Sequence, residues 1–319
     1  MQRTYEKLCG ATDNTKNVLS IDEPWIVLAD ILLVIVYNNP IYGTVKYTEL
    51  MYGRFFPNMV FCGPEIPDQN TFSDLYTDNQ LNRHFITFPN KKGYPPGTLS
   101  YVCAAKALQL DYNVTGYLLF ADDLLFNVNN MVHLNKSKIW IANELQRHKA
   151  TFDGQNMTTT GWQWWPRFLL PAMGMINGRL KNHPITSTEK KCYKALNDKQ
   201  HLTLTIFAGF SDLLYIPRRF ASEFTELFTL FSEYDMWLEI AVPSIVQCLS
   251  EEQDWERLNS HYIHFNEKNL YNYDITTFMD RHFNHPMKWS HLDKNDTHSQ
   301  GYKPFFCDEI LPLLFKQNK

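Results

Sequence analysis

The stretch GYLLFADDLLF, residues 116–126, places two adjacent acids, Asp122 and Asp123, within an otherwise apolar run. A short run rich in aromatic and aliphatic residues predicts a strand that is buried on both faces. Two carboxylates buried there without partners would cost several kcal/mol. They must therefore be paired, protonated, or placed at the C-terminal end of the strand, where open α/β sheets bind ligands. Carboxylate oxygens suit Mg²⁺ or Mn²⁺, so the stretch predicts a metal-binding acidic turn.

The chain before this stretch predicts a strand–helix–strand unit. ILLVIV at 31–36 indicates a buried strand that ends in the turn Tyr37-Asn38-Asn39-Pro40, and apolar residues at helical spacing follow in 42–56. A second short strand is predicted at 59–62. Such a unit implies parallel pairing with a right-handed crossover, so we predict an α/β fold with a mixed, mostly parallel sheet flanked by helices. No GxGxxG follows the first strand, and the sequence contains no P-loop.

The rest of the chain predicts further elements around this sheet. The expected elements are a strand at 84–88, a helix at 99–110, a short helix at 139–147, helices at 168–176 and 187–197, a strand at 203–208, a helix after Pro217, a helix at 238–248 and a strand at 261–265. Three Trp within 162–165 indicate either a sugar-stacking platform or a packing cluster. We predict a lead-in at 1–27, one domain at 28–290, and a C-terminal loop and helix at 291–319 that pack on it.

Composition and charge exclude some partners. The net charge is −4 and no run of Lys or Arg stands out, so nucleic acid is a poor candidate partner. The first 20 residues are polar and do not resemble a signal peptide. The apolar run at 25–36 is too short to span a membrane, and we expect any membrane anchor to lie outside this chain.

Cysteines and glycosylation motifs bear on the cellular compartment. The six cysteines include no CxxC pair, which disfavours a zinc finger, and their even number permits disulfides without requiring them. Four Asn-X-Ser/Thr sequons begin at Asn113, Asn135, Asn156 and Asn295. Together they favour a glycoprotein of the secretory pathway.

The acidic strand end, a later acid and a late His with a nearby Lys resemble the GT-A class of glycosyltransferases. These enzymes carry an Asp-X-Asp motif, or a variant such as X-Asp-Asp, at this strand end, and Ala121-Asp122-Asp123 is similar to that variant. Ala121 replaces the first acid, so the motif is reduced. The resemblance covers residues 28–290 and implies a GT-A-like sheet with a Rossmann-like nucleotide-binding half.

The resemblance implies roles for the matching residues. Asp123 would hold Mn²⁺ or Mg²⁺, and Asp122 would contact the metal or the ribose. The turn Tyr37-Asn38-Asn39 would hold the base and ribose of the nucleotide. His285 matches a late metal-binding His, and Glu239 matches the acid near the acceptor.

Four stretches are also similar to the STELLO family of Golgi glycosyltransferase-like proteins and its animal relatives. They are LLVIVYN at 32–38, VFCGP at 60–64, FADD at 120–123 and HPMK at 285–288. Membership would imply a domain in the Golgi lumen, but it would not identify the donor or the acceptor.

These features predict a metal-dependent transfer of a sugar from a nucleotide-sugar to a glycan or glycoconjugate hydroxyl, with inversion favoured. An inverting reaction needs a base, for which Glu239 is the first candidate and Asp212 the second, whereas a retaining reaction does not need a base in that place. Lys288, with Arg218 or Arg219, would offset the diphosphate charge. The alternative is a non-catalytic GT-A-like scaffold that binds a partner enzyme or a glycan. A two-metal phosphohydrolase or nucleotidyltransferase is disfavoured, because the sequence does not supply enough acids on separate strands.

Overall fold

The computed structural model describes residues 9, 28–37, 42–64, 83–88, 98–142, 150–152, 157–158, 165–197, 204–262, 278, 280–285, 287 and 302–316. In chain order its strands are β1 (Ile31–Val36), β2 (Met59–Pro64), β3 (Arg83–Phe88), β4 (Gly116–Ala121), β5 (Leu125–Phe126), β6 (Ile139–Ala142), β7 (Ala150–Phe152), β8 (Met157–Thr158), β9 (Leu204–Ile206), β10 (Leu213–Pro217), β11 (Trp255–Leu258), β12 (Ser260–Tyr262) and β13 (Phe283–His285).

The helices flank these strands. They are α1 (Tyr42–Tyr52), α2 (Thr98–Ala107), α3 (Val128–Met131), α4 (Trp165–Asn182), α5 (Ser187–Leu196), α6 (Ala221–Ser232), α7 (Leu238–Leu249), α8 (Tyr302–Pro304) and α9 (Leu311–Lys316), with 3₁₀ turns at Arg218–Phe220 and Glu252–Asp254 and a π-helical segment at Phe305–Ile310.

The main sheet has seven strands in the order β11-β6-β10-β4-β1-β2-β3. Strand β1 pairs in parallel with β4 and β2, β2 pairs in parallel with β3, and β11 pairs in parallel with β6. Strand β10 runs antiparallel to both of its neighbours, β4 and β6. Among the described strands of this sheet, β10 alone points the other way, so the predicted α/β fold with a mixed, mostly parallel sheet is confirmed.

The central strands are buried on both faces because alternate side chains enter two different cores. In β1, Leu33 and Ile35 pack in a core shared with α1 and the C-terminal segment 305–314, whereas Leu32 and Val34 pack in a core shared with α2, α4, α5, α6 and α7. The same alternation in β4 and β10 makes a three-layer arrangement of helices, sheet and helices. This explains why β1 reads as one continuous apolar run.

Several predicted elements are correct. They include the strands at 31–36, 59–62 and 84–88, the helices at 99–110, 168–176 and 238–248, and the helix after Pro217. The helix predicted at 187–197 is also present, and the side chain of Thr186 caps it by accepting a hydrogen bond from Glu189 N at 3.1 Å.

Two predictions differ from the structure, and one strand was not predicted. The helix predicted at 139–147 is wrong at its start, where Ile139–Ala142 form the buried strand β6. The strand predicted at 203–208 is only the three-residue β9, which belongs to a small separate sheet with β7 and β8. The strand that completes the main sheet, β10, begins later, at Leu213.

Three disulfides connect the described parts of the chain. Cys62–Cys103 joins β2 to α2, Cys192–Cys248 joins α5 to α7, and Cys9–Cys307 joins two positions 298 residues apart. All six cysteines are thereby used. Disulfides of this number are typical of proteins that fold in an oxidising compartment.

We expect the paired change Cys62→Ala and Cys103→Ala to lower the free energy of unfolding. A cross-link over a sequence separation of 41 restricts the unfolded chain by about 4 kcal/mol, so the midpoint of thermal unfolding should fall by roughly 5–10 °C. Thermal melts followed by circular dichroism measure the shift. As a control, the difference should shrink when both proteins are melted in reductant, and equal midpoints without reductant would contradict the prediction.

Candidate functional site

The acidic turn lies where β1 and β4 end and β10 begins. The amide of Asp122 donates to the carbonyl of Val36 at 2.8 Å, which ties the turn to the last residue of β1. The amide of Ala121 donates to the carbonyl of Asp212 at 3.0 Å, which ties it to the residue before β10. Because β10 is antiparallel to β4, the start of β10 and the end of β4 share one sheet edge. The edge therefore gathers Asp122, Asp123 and Asp212.

A second, smaller sheet brings His285 to the same edge. Strand β13 pairs antiparallel with β5, the two-residue strand that follows the acidic turn, and the amide of Met287 donates to the carbonyl of Asp123 at 2.5 Å. The Nε2 atom of His285 lies 3.1 Å from Oδ1 of Asp123 and 3.4 Å from Oδ1 of Asp212. All three side chains are less than one-fifth exposed. We call Asp123, Asp212 and His285 the acid–histidine trio.

Glu239 completes the site from the first turn of α7. Its carbonyl accepts a hydrogen bond from the amide of Gly209 at 2.9 Å, which connects α7 to the segment that leads to Asp212. Burial raises the pKa of the Glu239 carboxyl to about 8, and the negative charge of Asp212 contributes to the rise, whereas charge on His285 and a hydrogen bond from Trp237 act against it. Its buried Oε2 atom has no hydrogen-bond partner among the described residues. Glu239 therefore places a carboxyl group with a raised pKa beside the acid–histidine trio.

Tyr37 lies at the predicted place but is enclosed. It directly follows β1, is 3% exposed and packs across Gly63 of β2, where a Cβ atom would come within 2.3 Å of its ring. Its ring is therefore buried against β2 rather than exposed to a ligand. Asn38, Asn39 and Lys288, which were predicted to bind the nucleotide, lie outside the described residues.

The expectation that Arg218 or Arg219 would offset diphosphate charge is wrong. Strand β10 runs away from the acidic turn, so the arginines that follow it lie at the opposite edge of the sheet. There the amide of Arg218 donates to the carbonyl of Thr115 at 2.8 Å, and the guanidinium of Arg219 binds Asp254 at 3.1 Å. Neither side chain can reach a ligand held by the acid–histidine trio.

The chemistry of the trio suits a divalent cation. Two carboxylates and one imidazole are the oxygen and nitrogen donors that Mn²⁺ accepts. However, no group of three or more His, Cys, Asp or Glu within the described ranges has the arrangement of a ready metal site. Instead, the three side chains contact one another, because His285 lies against both carboxylates.

One contributor to the site was predicted in a different role, and another was not recognised in the sequence. Asp212 was predicted as a second candidate base, whereas the structure places it against the same histidine nitrogen as Asp123. Trp237, the N-cap of α7, supplies a hydrogen bond to the Glu239 carboxyl. Its position two residues before a lone acid in an apolar helix start was the only sequence signal that could have indicated this.

A mostly parallel sheet with acids and a late histidine at its C-terminal edge defines the class of the protein, which is an α/β fold of the GT-A type. Comparison with known proteins shows which family within this class the chain resembles. Residues 14–160 match the family described as STELLO glycosyltransferases. This match confirms the resemblance to the STELLO-type glycosyltransferase-like family.

Two curated proteins of Arabidopsis thaliana agree with this assignment. The chain is 24% identical over 227 residues to "Probable glycosyltransferase STELLO1", an alignment that covers 71% of this chain and 25% of that protein. It is 21% identical over 249 residues to "Probable glycosyltransferase STELLO2", covering 78% of this chain and 28% of that protein. The chain thus spans about a quarter of the length of the curated relatives it matches.

None of the described helices is both long enough and apolar enough to cross a bilayer.

We expect Glu239→Gln to stabilise the protein at alkaline pH. The pKa of the carboxyl is about 8 in the folded protein and near 4.5 in the unfolded chain. The folded state therefore holds the proton more tightly, and stability is lost as pH rises between these two values. Glutamine carries no charge to desolvate. In chelator-containing buffer, the variant should melt several degrees above the parent protein at about pH 9 and close to it at about pH 5.

Glu233→Gln is the matched control, because Glu233 is exposed at the end of α6. It should leave the difference between the two pH values unchanged. A Glu239→Gln protein whose advantage does not grow with pH would contradict the assignment of a buried, proton-binding carboxyl.

Proposed function

We propose that this protein is a metal-dependent glycosyltransferase that moves a sugar from a nucleotide-sugar to a hydroxyl of a glycan or glycoconjugate, with inversion at the anomeric carbon. The observation that carries the proposal is the convergence of Asp123, Asp212, His285 and Glu239 at one sheet edge. The similarity to STELLO glycosyltransferases supports transfer of a sugar as the reaction.

The donor side of the site is assigned to the acidic turn. Asp123, Asp122 and His285 would hold Mn²⁺ or Mg²⁺, with Asp212 facing the same histidine nitrogen. A bound ion of this kind neutralises a diphosphate and stabilises it as a leaving group. Asn38 and Asn39 beside the enclosed Tyr37 would contact the base and ribose, and Lys288 would face the diphosphate.

The acceptor side is assigned to Glu239. In an inverting transfer its carboxylate accepts the proton of the acceptor hydroxyl while the hydroxyl oxygen bonds to the anomeric carbon and the diphosphate departs. A pKa of about 8 makes the carboxylate a stronger base than an ordinary glutamate and keeps it near the pH at which proton transfer is efficient. Asp212 is the second candidate, but its contact with His285 at 3.4 Å favours a role in holding the histidine.

We also propose the lumen of the Golgi or of another part of the secretory pathway as the location. Three disulfides support an oxidising compartment. The family resemblance supports the Golgi among these compartments.

A non-catalytic scaffold is the second candidate. Ala121 replaces the first acid of the motif. Moreover, His285 of the acid–histidine trio directly contacts both Asp123 and Asp212. A protein of this kind would keep the fold and bind a partner enzyme or a glycan without turnover.

Donor binding should depend on a divalent ion and on Asp123. With a panel of nucleotide-sugars, we expect at least one donor to raise the midpoint of thermal unfolding in Mn²⁺ but not in chelator, and to be hydrolysed slowly. Asp123→Ala should abolish both effects, because it removes a carboxylate from the trio.

Asp111→Ala is the matched control, since Asp111 is an exposed acid before the start of β4, at the other end of the same strand. It should bind the donor as the parent protein does. The enzyme proposal would fail if no donor showed metal-dependent binding, and the scaffold would then be favoured.

Glu239→Gln should separate binding from turnover. Once a donor and an acceptor are found, we expect the kcat of the variant to fall by about 10²–10⁴-fold, because a general base is lost, while donor binding persists. Initial rates across pH measure the effect, and Glu233→Gln again provides the control. A larger loss of kcat in Asp212→Asn than in Glu239→Gln would assign the base to Asp212 instead.

A further inference from the structure

The sheet edge opposite the site is organised around Asp30, which precedes β1. The amide and hydroxyl of Thr115 donate to the Asp30 carbonyl at 2.6 and 2.8 Å, and the hydroxyl also donates to Oδ2 at 3.0 Å. Lys136 Nζ donates to both carboxylate oxygens at 2.8 Å. Thr115 ends the sequon that begins at Asn113, and Lys136 is the middle residue of the sequon that begins at Asn135. One acid therefore holds two sequons at the same edge.

Within the described part of the chain, the loop that contains the second sequon is fixed by hydrogen bonds that do not involve the side-chain nitrogen Nδ2 of Asn135. Its Oδ1 atom accepts from the amide of Ser137 at 2.9 Å and from the Ser137 hydroxyl at 2.7 Å. Its backbone carbonyl accepts from the indole of Trp140, and the carbonyl of Lys136 accepts from the hydroxyl of Tyr215. These bonds hold the loop, and not one of them involves Nδ2, the atom to which a glycan is joined.

We propose that Asn113 and Asn135 both carry N-linked glycans in the folded protein. Both residues are exposed, and each begins a complete Asn-X-Ser/Thr motif. In the modification, Asn Nδ2 forms a bond to the anomeric carbon of a lipid-diphosphate-linked oligosaccharide. The bond from that carbon to the diphosphate oxygen breaks, and one Nδ2 proton is lost.

The topology separates these glycans from the candidate site. Strands β1 and β4 run in parallel. They begin at Ile31 and Gly116, at the edge of the sheet that carries the two sequons (the sequon edge), and end at Val36 and Ala121, at the edge that carries the acidic turn. Six residues of strand span about 17 Å. Two large hydrated glycans would therefore cover the sequon edge and leave the edge with Asp123 open to a donor and an acceptor.

The inference does not depend on the proposed enzymatic function, because a non-catalytic scaffold in the same compartment would carry the same glycans. Of the four sequons, those at Asn156 and Asn295 lie outside the described residues. The test must therefore resolve individual sites rather than count glycans.

The full chain, secreted by cultured eukaryotic cells behind a cleavable leader, should be treated with peptide N-glycosidase in ¹⁸O-water and mapped by mass spectrometry. We expect ¹⁸O-labelled aspartate at Asn113 and Asn135 in most molecules. Asn113→Gln and Asn135→Gln should each remove one glycan. Thr115→Ser and Ser137→Thr should retain glycosylation, because each keeps the motif and the hydroxyl.

The proposal would be overturned if, in secreted and disulfide-bonded protein, the peptides that contain Asn113 and Asn135 both carried no ¹⁸O label. Labelling at only one of them would overturn the paired arrangement. Thermal melts of the Gln variants show that they are folded, so that loss of a glycan is not mistaken for loss of structure.

Discussion

The antiparallel pairing of β10 with β4 is the constraint on which the site depends. Strand β4 already lies in parallel beside β1, and this brings Asp122 and Asp123 next to the end of β1. Because β10 runs the other way, it presents its first residues to the same edge, and the backbone of Asp212 bonds to Ala121. A parallel strand in that position would have sent Asp212 to the far edge. The reversal also allows His285 to meet two carboxylates rather than one.

Much of the fold could be predicted because its central strands are buried on both faces. Continuous apolar runs at 31–36 and 116–121 and the turn chemistry between elements indicated strands correctly. The same reasoning failed at Ile139–Ala142, where four apolar residues fit a strand or the start of a helix equally well and the sheet decided between them. The sequence did not indicate β10, because its residues LLYIP lie directly between a polar turn and a helix.

The candidate site was predictable in part. The resemblance to a known family singled out Asp123, His285 and Glu239, and the structure brings these residues to one edge of the sheet. Residue types do not determine strand direction, however, so the sequence could not predict the position of Asp212 or the placement of Arg218 and Arg219 at the opposite edge. The raised pKa of Glu239 likewise reflects its burial in the folded protein and the nearby charge of Asp212, neither of which the neighbouring residues in the sequence reveal.

The Cys9–Cys307 disulfide determines what happens to the protein when a protease cleaves the chain once. It joins positions 298 residues apart, so nearly the whole polypeptide is a covalent ring with short branches. A protease that cuts one exposed loop within this ring opens it without releasing a fragment, and the two pieces remain tied through sulfur. Nicked and intact molecules would then have nearly the same mass and shape until a reductant separates them, so damage to this protein can be concealed in an oxidising compartment.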